Sequence, residues 1–305
     1  MVLGRLIKFL KIALRRLYVL LNDLDHKIEK GLDKRGHDYL VRRVAGYYDM
    51  VKEEDEGYYA NQYCRFILHE LQKLKLEQGG VLLDLACGQG RIIDKLQSNP
   101  GLEFEKIIGV DFSAEVLVQA HKYLNVNNKT TPVVELIESD IIEFLENCPD
   151  NSANVVLLLE VLYMLPNFES VLKQMQRVMR PGGVVFISLR SEYYYGLSIL
   201  RQGLFTSIPL ILEQDRGMLF GNGVEMNWTN KSIISSEFLE KYSLEVGSMV
   251  GLGTCSGIAN DPHDFICRPS NLSSQELQQL QQIEDYFGKR YPEAGRYMLF
   301  VATSA

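Results

Sequence analysis

The apolar positions of the chain follow two patterns, which meet near residue 80. Tyr58–Leu76 carries apolar side chains at intervals of three and four, and this spacing predicts an amphipathic helix. Gln78 and the two glycines after it would end the helix, because glycine readily adopts the left-handed backbone of a helix cap. Beyond residue 80, short aliphatic runs alternate with helical stretches. We therefore predict a helical extension over residues 1–78, followed by a different architecture.

Seven aliphatic runs predict β-strands. Five come in close succession and alternate with predicted helices, which is typical of a parallel sheet covered on both faces. The last run would lie antiparallel, at or near the edge of the sheet. The fold prediction is α/β, with a doubly wound, mostly parallel, seven-stranded sheet. The runs are Val81–Leu85, Lys106–Val110, Val133–Ile137, Val155–Leu159, Gly182–Leu189, Leu244–Leu252 and Arg296–Thr303.

The first 21 residues are apolar but contain five bases, at Arg5, Lys8, Lys11, Arg15 and Arg16. These bases interrupt the segment too often for a membrane span or a signal peptide. At 100° per residue they fall on one side of a helix. The apolar face favours packing on the protein or on a second subunit. Peripheral contact with an anionic membrane surface is the alternative.

Composition narrows the function classes. The net charge of −7 argues against nucleic acid as the substrate, because phosphate binding favours a basic surface. The five cysteines are odd in number and contain no CxxC pair, so we predict neither a disulfide framework nor a metal site. A reducing cytoplasm is the simplest compartment for them.

A glycine loop follows the first predicted strand, at the edge where open α/β sheets bind ligands. Gly88 and Gly90 would let a ligand approach the backbone closely. Asp111 ends the second strand 21 residues beyond Gly90, a spacing that suits the hydroxyls of a ribose. Ile93 stands where a dinucleotide loop has its third glycine, and Asp84 would repel a pyrophosphate. The loop therefore favours a cationic amino-acid nucleoside over NAD.

Four segments resemble, in order, the motifs of class I S-adenosylmethionine-dependent methyltransferases. Val81–Gly90 is similar to the first motif, with the pattern D-x-x-C-G-x-G. Asp111–Ser113 resembles the second motif, D-x-S, and Ser139–Ile141 the third. Arg177–Gly183 resembles the turn before strand five. The resemblance runs from Val81 to Leu189. It implies a Rossmann-like fold, with S-adenosyl-L-methionine as cofactor and S-adenosyl-L-homocysteine as product.

The resemblance also implies roles for individual residues. The loop backbone would face the methionine part of the cofactor, with Asp84 nearby, and Asp111 would hold the ribose hydroxyls. Phe112 would pack on the adenine, Asp140 would bind its amino group, and Ile141 would offer a backbone N–H. The full predicted cofactor set is Asp84, Ala86, Cys87, Gly88, Gly90, Asp111, Phe112, Asp140, Ile141 and Glu160.

Three of these residues also have structural explanations. Asp140 could cap the helix that begins after it, and Phe112 could belong to the core. Glu160 could pair with a residue of the region after strand five.

The methyl acceptor is predicted less sharply. Strand four continues as Glu160–Pro166, without the N-P-P-Y or D-P-P-Y pattern that resembles nucleic-acid amino methylation. This departure favours a small-molecule substrate. His263 and Glu160 are the candidate catalytic residues, although His263 could be an exposed loop histidine paired with Asp264. The candidate substrate contacts are Tyr48, Tyr59, Tyr163, Arg190 and Tyr193.

The function prediction is in-line transfer of a methyl group to an O, N or C atom of a small molecule. The alternatives are a catalytically silent protein that binds the cofactor, and a nucleotide-dependent oxidoreductase. We predict that the chain divides into four regions: a helical extension or lid (1–78), a cofactor-binding half (79–190), an inserted substrate cap (191–230) and a C-terminal part (231–305).

Overall fold

The structure is a computed structural model, which describes residues 54–124, 132–165, 168–220, 225–230, 234, 241–259 and 261–304. The predicted N-terminal helix, Tyr48 and most of a helix predicted over Lys231–Tyr242 lie outside these residues. No helix within the described residues is long and apolar enough to cross a membrane.

A seven-stranded sheet with the order β3-β2-β1-β4-β5-β9-β8 organises the chain. Its first five strands are parallel, β9 is antiparallel to β5, and β8 is antiparallel to β9. The fold prediction is confirmed. The last strand, expected at or near the edge, lies between β5 and the true edge strand β8. The strands are β1 (Val81–Leu85), β2 (Lys106–Asp111), β3 (Val133–Glu138), β4 (Ala153–Leu158), β5 (Met179–Leu189), β8 (Leu244–Leu252) and β9 (Tyr297–Ser304).

Helices cover both faces of the sheet because its strands are buried on both faces. One apolar cluster packs α1, α2 and α3 on the sheet, and a second packs α4 and α5 on the other face. The helix α1 begins with three acids, which suit the positive end of its dipole. The helices are α1 (Glu54–Leu74), α2 (Arg91–Gln97), α3 (Ala114–Leu124), α4 (Ile141–Asn147), α5 (Phe168–Val178), α6 (Glu192–Gln202), α7 (Ile208–Glu213) and α8 (Ser274–Arg290).

The segment predicted as an inserted cap contains α6, α7 and a two-stranded sheet of β6 (Arg216–Gly217) and β7 (Met226–Asn227). Ser191 starts α6, and its hydroxyl accepts the Tyr194 N–H at 2.9 Å. Gly203 ends the helix with a left-handed φ of 72°. Buried side chains of α6 join the cluster that contains α1 and α2, so the cap and the first helix share one core.

Candidate active site

The glycine loop is held by backbone bonds to the neighbouring strand. The Cys87 N–H donates to the Val110 carbonyl at 2.9 Å, and the Gly88 N–H donates to Asp111 Oδ2 at 2.9 Å. Gly90 has a φ of 77°, and a Cβ there would lie 2.7 Å from Leu124. A Cβ on Gly88 would meet nothing within 4 Å, so this part of the loop borders open space.

Asp111 is buried and already anchored by backbone amides. Its Oδ1 accepts the Ser113 N–H at 3.0 Å, and its Oδ2 accepts the Gly88 N–H. Burial raises the pKa of Asp111, and backbone N–H groups of Ser113, Gly88 and Phe112 oppose that rise. The two carboxylate oxygens together offer about four lone-pair sites, so the carboxylate can accept a further hydrogen bond.

Asp84 lies on β1 with 4 % of its surface exposed. Burial raises its pKa to about 7, with the Asp111 charge adding to the rise and Arg91 opposing it. A buried acid with a raised pKa gains stabilisation from any cation placed beside it, because the charged form is the one that burial disfavours.

Asp140 caps helix α4. Its Oδ1 accepts the N–H groups of Ile142 at 2.8 Å and Glu143 at 3.3 Å, which confirms the capping alternative. The carboxylate is exposed, and its second oxygen takes no part in the cap. The N–H of Ile141 stands in the first turn, where a helix supplies no internal acceptor. Phe112 is half-buried beside Asp111. Asp140 and Ile141 therefore each keep a group that a ligand could use.

Glu160 lies two residues beyond the end of β4 and has a left-handed φ of 58°, a conformation that costs a non-glycine residue roughly 1–2 kcal/mol. Its carboxylate takes one hydrogen bond from Arg91 Nη2 at 2.6 Å and another from the Tyr297 hydroxyl at 3.1 Å. Burial raises the pKa of Glu160, but Arg91, Arg296 and Arg190 outweigh it, so the pKa is lowered. The carboxylate is therefore ionised and a poor proton acceptor.

Arg190 follows β5 and stands among four tyrosine rings. Its guanidinium carbon lies 4.3 Å from the Tyr194 ring centre, 4.5 Å from Tyr297, 5.1 Å from Tyr163 and 6.0 Å from Tyr195. Its Nη2 donates to the Tyr297 hydroxyl at 2.7 Å. Because that hydroxyl also donates to Glu160, Tyr297 connects Arg190 with the Arg91 end of the glycine loop.

A cavity of about 220 Å³ opens beside Arg190, and we name it the Arg190 cavity. Its lining residues come from the turn after β4, the end of β5, helix α6, the β6–β7 region and the loop after β8: Tyr163, Met164, Arg190, Tyr194, Tyr195, Ser198, Arg201, Gln202, Phe220, Met226 and Pro262. A second cavity, of about 130 Å³, lies beside α5 and the small β6–β7 sheet. We centre the acceptor site on the first, because it alone of the two includes Arg190.

Comparison with known proteins agrees with this geometry. Residues 76–203 match the family model of a methyltransferase domain. A solved S-adenosylmethionine-dependent methyltransferase from Clostridium acetobutylicum superposes with a TM-score of 0.51, at 14 % identity over 80 % of this chain and 91 % of that chain. Residues 76–203 are therefore similar to a methyltransferase domain, and the solved enzyme shares the fold of this chain.

Two curated relatives match part of this chain. A demethylmenaquinone methyltransferase of Bacillus licheniformis is 32 % identical over 151 residues, which is 47 % of this chain and 61 % of that protein. A trans-aconitate 2-methyltransferase of Azoarcus sp. is 27 % identical over 142 residues, which is 46 % of this chain and 51 % of that protein. The chain thus spans between one half and two thirds of the length of these relatives.

Two of the tyrosines predicted as substrate contacts, Tyr193 and Tyr59, do not line the Arg190 cavity. Tyr193 is 53 % exposed, because successive side chains of α6 point about 100° apart and its neighbours Tyr194 and Tyr195 take the inward positions. Tyr59 is buried, and its hydroxyl shares a hydrogen bond with Ser256 at 2.8 Å. Tyr163 and Arg190 do line the cavity.

His263 is buried, so the alternative of an exposed loop histidine is wrong. Its Nδ1 lies 3.0 Å from the Gly253 carbonyl, which fixes the proton on Nδ1 in the neutral ring. Asp264, the expected partner, pairs with Arg201 at 2.6 Å instead. A catalytic role for His263 stays a prediction.

The sequence did not predict a buried ion-pair network that lies beside the glycine loop. Glu56 of α1 pairs with Arg91 at 2.8 Å and with Arg296 at 3.6 Å, and Arg296 pairs with Asp261 at 2.9 Å. In the sequence, the acids at the start of α1 are typical of an ordinary helix N-terminus. Only the assembled sheet edge brings Glu56 to two arginines.

Proposed function

We propose that this protein transfers a methyl group from S-adenosylmethionine to a small-molecule acceptor. The observation that carries the proposal is the arrangement of the glycine loop between two buried acids. Asp84 stands before the loop, and Asp111 accepts a hydrogen bond from Gly88 within it. A cationic nucleoside would find a carboxylate for its charge and a second carboxylate for its ribose in one place.

The described residues fit the cofactor. The open space at Gly88 admits a ligand, and Asp84 would lie beside the ammonium or sulfonium charge. Asp111 would accept from the ribose hydroxyls. Phe112, Asp140 and Ile141 would hold the adenine by ring packing, a free carboxylate oxygen and a backbone N–H. The site residues remain part of the proposal.

The bound cofactor supplies an activated methyl group on a good leaving group. The protein then has to align the acceptor and exclude water, and positioning can supply much of the rate. Glu160 is held ionised by Arg91 and Tyr297, so its role is to position these groups. An acceptor that carries a proton would need a base, and Nε2 of His263 is the candidate.

A small-molecule acceptor agrees with the names of the curated relatives and with the acidic net charge. All five cysteines are free, which supports a reducing compartment. We accordingly propose a cytoplasmic protein whose residues 1–21 pack on the protein or a second subunit, or rest on a membrane surface.

Calorimetry with S-adenosylmethionine tests the proposal. We expect Asp111→Ala to weaken binding by about 30- to 100-fold, since two hydrogen bonds to a charged group are worth about 2–3 kcal/mol together. Asp111→Asn keeps an acceptor for the backbone amides and should lose less. Glu146→Gln, an exposed change on α4, is the control. If the folded parent does not bind the cofactor, or Asp111→Ala binds like the parent, the proposal fails.

A further inference from the structure

The Arg190 cavity combines positive charge with an apolar wall. Two arginines, Arg190 and Arg201, line it, and no aspartate or glutamate appears among its described lining residues. This is unexpected in a chain whose net charge is −7. Of the two arginines, Arg201 is paired with Asp264 at 2.6 Å.

Arg190 has no such carboxylate. No Asp or Glu oxygen of the described residues is recorded within 4 Å of its guanidinium, although several other arginines nearby are paired. Its Nε is buried and makes no hydrogen bond within the described residues. Burial by itself would lower the pKa of Arg190, but the four surrounding tyrosines outweigh it, so the pKa is raised and the charge is kept. The rings hold the guanidinium ionised at the cavity without neutralising it.

A buried cation without a carboxylate in direct contact is costly, and a bound anion beside it would reduce that cost. The guanidinium offers parallel N–H donors that match a carboxylate. Met164, Phe220 and Met226 give the rest of the wall an apolar character. A cavity of about 150 Å³ holds benzene, so about 220 Å³ leaves room for a ring or short chain with a carboxylate.

We propose that the Arg190 cavity binds the methyl acceptor and selects small molecules that carry a carboxylate on an apolar body. The inference rests on the proposed function, since it names the substrate class of that site. The connection to the cofactor side runs through two hydrogen bonds of Tyr297, one from Arg190 and one to Glu160. This chain of contacts links the pocket to Arg91, the first residue after the glycine loop.

Three probes of similar shape test the charge preference in the full chain: phenylacetate, phenylacetamide and 2-phenylethylammonium. Ligand-observed NMR titration should show phenylacetate binding at least about tenfold more tightly than the amide, with the ammonium weakest. Arg190→Met should abolish the preference for the acid, and Arg190→Lys should keep part of it. Arg180→Met, an exposed arginine that bonds the Asn151 carbonyl, should leave it unchanged.

Equal binding of acid and amide, binding of none of the probes, or a preference that survives Arg190→Met would overturn the inference. If Arg190→Met does not fold, the three probes on the parent and on Arg190→Lys still decide. Calorimetry with S-adenosylmethionine separates the two proposals. Acid preference without cofactor binding removes only the proposed function, and cofactor binding without acid preference removes only this inference.

Discussion

Two regions lie along one edge of the sheet but are built in different ways. One is the glycine loop, and the other is the group of Arg190, Tyr297 and Glu160, which we name the Arg190 cluster. The loop is held through its own backbone N–H groups, as in the bond from the Gly88 N–H to the Asp111 carboxylate 23 residues away. The cluster is made by side chains from distant positions. Arg190 and Tyr297 are 107 residues apart, and Glu160 and Tyr297 are 137 apart.

The difference decides what each region tolerates. Backbone donors survive most side-chain changes, and the loop depends mainly on a few backbone conformations. The cluster depends on the buried carboxylate of Glu160, and removing it leaves Arg91 with less compensation in a low-dielectric place. Substitutions should therefore be more destructive around Glu160 than around Asp140, although both residues follow strands at the same edge.

The largest effect is expected for Glu160→Ala. It leaves the buried Arg91 with Glu56 alone, and breaking a buried pair typically costs about 3–5 kcal/mol. We expect a loss near 3 kcal/mol in the free energy of unfolding, measured by urea denaturation, because one carboxylate remains. Glu160→Gln, which keeps hydrogen-bond acceptors, should lose less.

A matched control exists in the same sheet. Lys106 and Glu135 form an exposed ion pair, and Glu135→Ala should cost at most about 1 kcal/mol. Equal losses for Glu160→Ala and Glu135→Ala would show that the buried network is no more important than a surface pair.

The pH dependence of Asp84→Asn is the next effect in size. Burial and Asp111 raise the pKa of Asp84 from 3.8 to about 7, so the folded state without cofactor holds a proton that the unfolded chain releases. This contribution to stability is complete below pH 3.8 and is lost as the pH rises through about 7. The side chain of Asp84→Asn does not titrate, so the stability of this variant has no such dependence on pH.

Urea denaturation at pH 5 and pH 8 measures the difference between the variant and the parent. The stability of Asp84→Asn relative to the parent should rise by about 2–4 kcal/mol between these values. Two curves that stay parallel with pH would mean that Asp84 titrates normally in the folded protein.

The smallest effect is expected at Asp140, where capping and cofactor binding can be separated. Asp140→Ala removes the cap and should cost about 1 kcal/mol of stability. Asp140→Ser keeps a good cap, so its stability should stay within a few tenths of a kcal/mol of the parent. Both variants should bind S-adenosylmethionine more weakly in calorimetry. If Asp140→Ser binds like the parent, Asp140 is only a cap.

The same contrast explains what the sequence could predict. The strand β1 and the loop after it were predicted at their observed positions, because aliphatic runs, glycines and acids act within a few residues. Arg91 could not be matched to Glu56 and Glu160, because several acids and arginines compete until the topology is known. The position of β9 inside the sheet edge likewise depends on the order of strands far apart in the chain.

The sequence prediction chose Tyr193 as a substrate contact, whereas its neighbours Tyr194 and Tyr195 line the Arg190 cavity. A run of three tyrosines gives no sign of which one faces inward until the start of α6 is known. Ser191 sets that start by capping the helix. One residue of shift in the helix start would exchange the exposed ring for a buried one.

The lining of the Arg190 cavity has a consequence for how this protein could be re-engineered. Its walls come mainly from α6 and the β6–β7 region, which supply none of the bonds that hold the glycine loop. Under the two proposals, acceptor and donor would therefore be recognised by separable parts of the protein. Libraries of variants at positions such as Ser198, Gln202 and Phe220 could change substrate choice while the glycine loop stays unchanged.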